Sequence, residues 1–284
     1  SSTFLPSTGS SLYVSDLTTL ARGVVANTEQ ANKIPSEKVT GLELGGRLVS
    51  LQPLEASGRT YLVAVSDTRV TVIDVSLPGG SVPGLSQQFR SRSLTTAEVG
   101  LPGAIKSASA ALHPVDGGVY VLAESAIWVG GDYPSRGVSL TRIELPVTAG
   151  QPFPSTTPQV VGYDLPAAPA NIAQPGTLLI PFDSDVAAVY FEGSASDGAL
   201  HMHVRSSTDF SQNRAASIKL TTLASYNAIA GFRSSGGTLH VYFGVNNIGT
   251  YAASVNCELA PTPAEGTLSV EKVPASGPTV AVPD

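Results

Sequence analysis

The stretch GGTLHVYFGVNNIGTYAASV (236–255) decides how the rest of the chain is read. It holds one alternating run centred on Tyr242, a polar turn of Asn and Gly, and a second alternating run. Period-two alternation interrupted by turn formers is the pattern of a strand, a tight turn and a strand. The phrase around the tyrosine recurs as SSLYVSDL at Tyr13, RTYLVAVSD at Tyr61, GVYVLAES at Tyr120 and AVYFEGSA at Tyr190. The spacings are 48, 59, 70 and 52 residues, and self-similarity at periods of this size marks a repeat architecture.

Each phrase is preceded by another apolar run and a turn: TFLPSTGSS, RLVSLQPLEASG, SASAALHPVDGG, TLLIPFDSDVA and AIAGFRSSGGTL. Each is followed by a third run, namely LARGVVA, VTVIDV, AIWVGG, ALHMHV and TYAASV. A fourth segment closes the unit: GLEL, SLTTAEV, SLTRIEL or QVVGYDL, SIKLTTL and TLSVEKV. Four strands cannot bury both faces alone, so five such units stacked around an axis predict a β-propeller. The expected fold is all-β: one propeller domain over 1–284, with four-stranded blades at about 1–45, 46–100, 101–165, 172–223 and 226–275. The 70-residue gap leaves room for a sixth blade, and the proline-rich stretch 150–175 reads as a long inter-blade loop. The tail ASGPTVAVPD either closes the ring or hangs loose. The five tyrosines are expected in the second strand of each blade, packed between sheets.

Composition agrees with many short strands. Only 13% of the residues are charged, while Gly (28) and Pro (21) are plentiful. A formal net charge of −6 with scattered Lys and Arg carries no footprint for a phosphate backbone, so nucleic acid is not an expected partner. The single cysteine, Cys257, allows no intrachain disulfide and no Cys-rich zinc site. No apolar run approaches the roughly 20 residues that span a bilayer, and no membrane partner is expected. The low charge, the Ser, Thr, Gly and Pro content and the start at Ser1 favour a cleaved signal peptide and secretion, although N-x-S/T sequons are absent.

The chain has no G-x-S-x-G, H-E-x-x-H, P-loop or G-x-G-x-x-G. Ser269 and Lys272 match S-x-x-K, but strand spacing sends them to opposite faces. His201 and His203 in ALHMHV project to one face and offer two imidazoles to a metal; Asp183 and Asp185 offer oxygens at the same spacing. Polar residues alternating outward on any antiparallel strand account for both pairs without a metal. No metal site is assigned and no cofactor is expected. Glu55, Asp116, Asp183 and Asp185 stand near first-strand ends, where a glycosidase would need two carboxyls at a set separation and where turn chemistry alone also places them.

The stretches DVAAVYFEGSASDGALHMHV and AIAGFRSSGGTLHVYFGVNNIG resemble blades of the fungal fucose-binding propeller lectins. Those lectins repeat a stacking Trp, an Arg and a Glu, whereas this chain has Trp128 alone. The weakly charged propeller without a catalytic motif also resembles the hetero-Diels-Alderases of fungal tropolone-sesquiterpene pathways. That resemblance implies one pocket for an apolar or polycyclic substrate, in which orientation and a hydrogen-bond donor replace nucleophile and metal. The expected site takes His113, Asp183 and Arg233 as catalytic residues and Gln52 with Trp128 as ligand-binding residues, drawn mostly from first strands over the axis. The alternatives are a glycan-binding lectin with degenerate repeats and, behind it, a glycosidase or lactonase.

Overall fold

The computed structural model describes residues 13–15, 36–38, 42, 44–56, 58–76, 89–148, 151–169, 176–183, 185–193, 198–206, 213–220, 226–233, 238–245, 249–256 and 269–272. All regular structure among them is strand, arranged as antiparallel sheets of four or five strands and one short two-stranded pair. The chain divides into two compact units, residues 1–94 with 146–154 and residues 95–145 with 155–284. The third run and the tail, LARGVVA and ASGPTVAVPD, lie outside the described residues.

In the first unit, β1 (Tyr13–Ser15) pairs with β2 (Ser36–Lys38). The strands β3 (Leu48–Ala56), β4 (Arg59–Ser66), β5 (Arg69–Asp74) and β6 (Arg90–Thr95) follow as a meander. GLEL forms no strand over its described residues; instead Leu44 buries with Ala64 and Ile73, and Leu42 packs beside them. Arg59 clamps the segment 146–154 onto this sheet. It donates to Asp74 at 2.7 Å and to the Pro146 carbonyl at 2.6 Å, with Arg92 reaching the Pro154 carbonyl at 2.8 Å.

The second unit contains three sheets. The first is β7 (Ala104–Leu112), β8 (Val119–Val129), β9 (Asp132–Ile143) and β10 (Gln159–Leu165), with β11 (Ala168–Pro169) paired to β9. The second is β12 (Thr177–Phe182), β13 (Asp185–Gly193), β14 (Gly198–Ser206) and β15 (Asn213–Leu220). The third is β16 (Tyr226–Arg233), β17 (Thr238–Val245), β18 (Gly249–Asn256) and β19 (Ser269–Lys272).

Strand β13 explains how they stack. Val186, Ala188 and Tyr190 point into one apolar layer with Tyr120, Leu122, Val138 and Leu140 of the β7–β10 sheet. Ala187, Val189 and Phe191 point into another with Leu239, Val241 and Phe243 of the β16–β19 sheet. The middle sheet is therefore apolar on both faces, which is why 186–191 reads as a continuous run. Phe191 meets Phe243 edge-on at 5.5 Å between ring centroids.

First strands meet along their length. Ser107 of β7 lies 3.0 Å from Thr177 of β12 through their hydroxyls. A Cβ placed on Gly231 of β16 would come within 2.9 Å of Leu178 and 3.2 Å of Ile180 on β12.

Two further expectations change. AIWVGG is not a third strand: β8 runs on to Val129, Gly130 and Gly131 turn with φ of 60° and 108°, and SLTRIEL belongs to the third strand β9. The apolar run 119–129 contains no turn former, so nothing stops β8 before the glycines. The stretch 150–175 is not one loop, because it contains β10 and β11.

Four of the five tyrosines lie in second strands, Tyr61 in β4, Tyr120 in β8, Tyr190 in β13 and Tyr242 in β17, while Tyr13 lies in β1 of the two-stranded pair. Tyr61, Tyr120 and Tyr190 are buried, at different depths along their strands. Tyr120 pairs with Ala111, next to the end of β7, whereas Tyr190 pairs with the first residue of β12, Thr177. Their rings enter the same layer from facing sheets.

Candidate functional site

His113 follows β7 and is completely buried. Its Nδ1 accepts the backbone N–H groups of Val115 and Asp116, and its Nε2 donates to the Asp185 carbonyl at 3.0 Å. Both nitrogens are consumed by backbone, so the ring ties the turn after β7 to the start of β13 and presents no face to a substrate. The expected catalytic role of His113 is replaced by a structural one. Asp183 is exposed and holds a left-handed φ of 46°, a conformation that Asp tolerates in turns. Arg233 ends β16 opposite Leu239, and its side chain lies outside the described residues. Gln52 sits on β3 in the other compact unit.

Trp128 is not an aromatic wall. It is 61% exposed at the β8–β9 hairpin, at the opposite end of its sheet from His113, about 30 Å away along β8. Of the four acidic residues near first-strand ends, Asp116 is committed to the fold. Its carboxylate accepts from the Gly118 N–H at 2.8 Å, the Tyr120 hydroxyl at 2.7 Å and Arg142 Nε at 2.8 Å. Burial alone would raise the Asp116 pKa, but these three donors override it and hold it below the usual carboxylate range. Stability from this site is present above the ordinary carboxylate pKa and is lost as pH falls toward the lowered folded value. Asp116→Asn is expected to lower stability by about 1.5–3 kcal/mol at pH 7 and to flatten the acid limb of a pH–Tm series. A variant that tracks the wild type at every pH would contradict this.

The densest group of functional side chains lies where β10 faces β13 and β14. His201 and His203 share one face of β14, as alternation requires, with ring centroids 6.5 Å apart. Glu192 Oε2 lies 2.5 Å from His201 Nε2, and the Tyr190 hydroxyl lies 3.1 Å from His203 Nε2. Arg205 donates through Nε to the Tyr163 hydroxyl at 2.7 Å, and its guanidinium sits 5.4 Å from the Tyr163 ring centroid. The Tyr163 ring meets that of His203 at 4.2 Å between centroids, tilted by 34°, and lies 5.6 Å from that of Tyr190.

Burial raises the Tyr163 pKa against the pull of Arg205. Burial, reinforced by the charges of Tyr163 and Glu192, raises that of Tyr190 further. Both phenols stay protonated. His201 and Glu192 remain partly exposed, with side chains 22% and 29% accessible. The cluster thus gathers ring faces, two phenols, a guanidinium and a carboxylate-oriented imidazole against one face of the β13–β14 pair. Among the described residues, no group of three or more His, Cys, Asp or Glu is placed to hold a metal ion.

Sequence reading singled out the two histidines and missed Tyr163, Glu192 and Arg205. The signal was present: once Tyr190 is set opposite His201 in a hairpin, Glu192 becomes the diagonal neighbour of His201.

A second constellation is fully inside. Glu124 of β8 and Arg136 of β9 pair at 3.1 Å with both side chains almost inaccessible. Glu124 also accepts the Gly176 N–H at 3.2 Å, and Arg136 donates to the Pro166 carbonyl at 3.2 Å. Burial pushes the Glu124 carboxyl up to about 7, against the opposing pull of Arg136 and Gly176.

Neither a scan against protein-family models nor a search of the curated proteins finds a match to this chain.

Proposed function

We propose that the sheets close into a five-bladed β-propeller, with residues 1–45 in the remaining blade, and that the ring carries one small-molecule site. The meandering sheets and the meeting of β7, β12 and β16 along their lengths support closure, since first strands line the axis of a propeller. A single site rests on one observation. The third-strand residue opposite the recurring tyrosine is Asp74, Arg142, His201 and Ala252 in the four sheets. A multivalent binder repeats its contacts, whereas this chain carries four different residues at the paired position.

The site is the Tyr163, Tyr190, Glu192, His201, His203 and Arg205 cluster. Its function in this reading is cofactor-free cyclisation or cycloaddition of an unsaturated polycyclic substrate. Held orientation contributes about 7–11 kcal/mol in favourable cases, and a phenol or guanidinium donor aimed at a developing oxyanion adds to it. Carbohydrate binding is the second reading, favoured by aromatic faces beside an Arg and a Glu, which suit the faces and hydroxyls of a sugar ring.

Calorimetric titration separates the two. Apolar polycyclic ketones are expected to bind one per chain and raise Tm. Tyr163→Ala is expected to weaken that binding tenfold or more, by about 1.4 kcal/mol. Several equivalent sugars per chain would overturn the single-site reading, and one sugar per chain would select the second reading.

A further inference from the structure

The β8–β9 hairpin extends past its neighbour on the β8 side: β7 begins at Ala104, opposite Ala126, so 127–129 continue beyond it, while on the other side β11 pairs with β9 at Tyr133 and Asp132. Consecutive strand residues point to opposite faces, yet Ile127, Trp128 and Val129 are all exposed, at 40%, 61% and 59%. The turn residues Gly130 and Gly131, with Asp132, are exposed as well. The tip is therefore apolar on both faces. A protein partner docked against one face would leave the other in water, whereas entry into a nonpolar layer removes both from it.

Behind the tip, Tyr133 is half-buried, and Lys106 Nζ lies 5.9 Å from its ring centroid. An amphipathic ring with a long-stemmed cation beside it is the side-chain pair that settles at a membrane–water boundary.

We propose that this hairpin is a shallow membrane-insertion tip whose partner is the headgroup and upper acyl layer of a zwitterionic lipid surface. The inference stands apart from the proposed small-molecule site, since it uses none of that site's residues. It also departs from the expectation of no membrane partner, which rested on the lack of a spanning segment. Asp132 pairs across from Val129 and limits the depth to the headgroups, because a carboxylate does not follow apolar side chains into hydrocarbon. The lone basic group at the belt and the acidic tip residue give anionic lipid no advantage.

Trp128 is the only tryptophan in the chain, so its fluorescence reports this tip alone. Without lipid its emission is expected to resemble that of tryptophan in water. Added phosphatidylcholine vesicles are expected to shift it to shorter wavelength, brominated phosphatidylcholine to quench it, and high salt to change neither. Ile127→Ser with Val129→Ser keeps the fluorophore and is expected to cut the vesicle-bound fraction in flotation by about tenfold or more. Asp132→Asn is expected to raise it. Both variants should keep the wild-type Tm, as surface substitutions do.

No shift with vesicles overturns the proposal, as does flotation without quenching by brominated lipid. A blue shift that appears without vesicles and grows with protein concentration overturns it in favour of a second copy of the chain on the tip.

Discussion

Glu124→Ala is expected to lower the unfolding free energy at pH 8 by about 3–5 kcal/mol, the largest loss from any single side-chain truncation in the β7–β10 sheet. The reason is the charge left behind. Arg136 is completely buried, and in the wild type its guanidinium spans Glu124 and the Pro166 carbonyl. Removing the carboxylate strands a desolvated cation and leaves the Gly176 N–H without its acceptor.

The Glu124 pKa, raised from 4.5 to about 7, means that burial outweighs the attraction of Arg136. A carboxyl with a raised folded pKa favours folding most when protonated. The wild type therefore loses stability as pH climbs from about 5 to 8, and Glu124→Ala should lose this part of the slope. Joint replacement by Glu124→Leu and Arg136→Met is expected to restore most of the loss, since apolar residues of similar volume avoid both desolvation costs. Urea unfolding of the three proteins at pH 5 and pH 8 checks this. A double variant no more stable than Glu124→Ala would show that the loss came from misplaced packing and not from the stranded charge.

Gly231→Val should be comparably damaging, at about 3 kcal/mol or more. A Cβ at residue 231 would lie 2.5 Å from the His240 carbonyl oxygen, a backbone atom that cannot turn aside, and would press on Leu178 and Ile180 across the β12–β16 contact. Two sheets approach here through a residue without a side chain, so any substituent must part them or bend β17. Gly162→Ala in β10 is the control: its Cβ meets nothing within 4 Å, and the change should be neutral or stabilising by up to about 1 kcal/mol. Equal midpoints for Gly231→Val and the wild type in urea would contradict the packing of β12 on β16.

The same contrast explains what the sequence made legible. The recurring apolar-Tyr-apolar phrase at Tyr190 and Tyr242, with the turns and runs beside it, located β13, β14, β17 and β18, because strand pattern and turn chemistry are local properties. The recurring tyrosine was a poorer guide to position. Tyr120 sits beside the β7–β8 turn with its hydroxyl on Asp116, while Tyr190 lies at the far end of its sheet against His203. Depth along a strand depends on inter-sheet packing, which no local pattern encodes.

For the site, His201 and His203 stood out because i and i+2 on a strand must share a face. Arg205 follows them on the same strand and shares their face, whereas Tyr163 stands 38 positions or more away and joins them only when β10 packs on β14. His113 failed for the converse reason. A histidine after a first strand looks available in sequence, and only the Asp185 carbonyl and the two N–H donors reveal that it is spent.

Ring closure is the claim on which the single-site reading depends, and a distance between the first and last blades tests it directly. Spin labels at residue 37 in β2 and residue 271 in β19, placed by Glu37→Cys and Glu271→Cys in a Cys257→Ser background, allow that distance to be read by pulsed dipolar spectroscopy. A closed five-bladed ring makes these blades neighbours, and the account predicts one narrow distribution below about 30 Å, a few sheet spacings including the label arms. A main population beyond about 40 Å, the reach of four successive sheet spacings in an open stack, would contradict it.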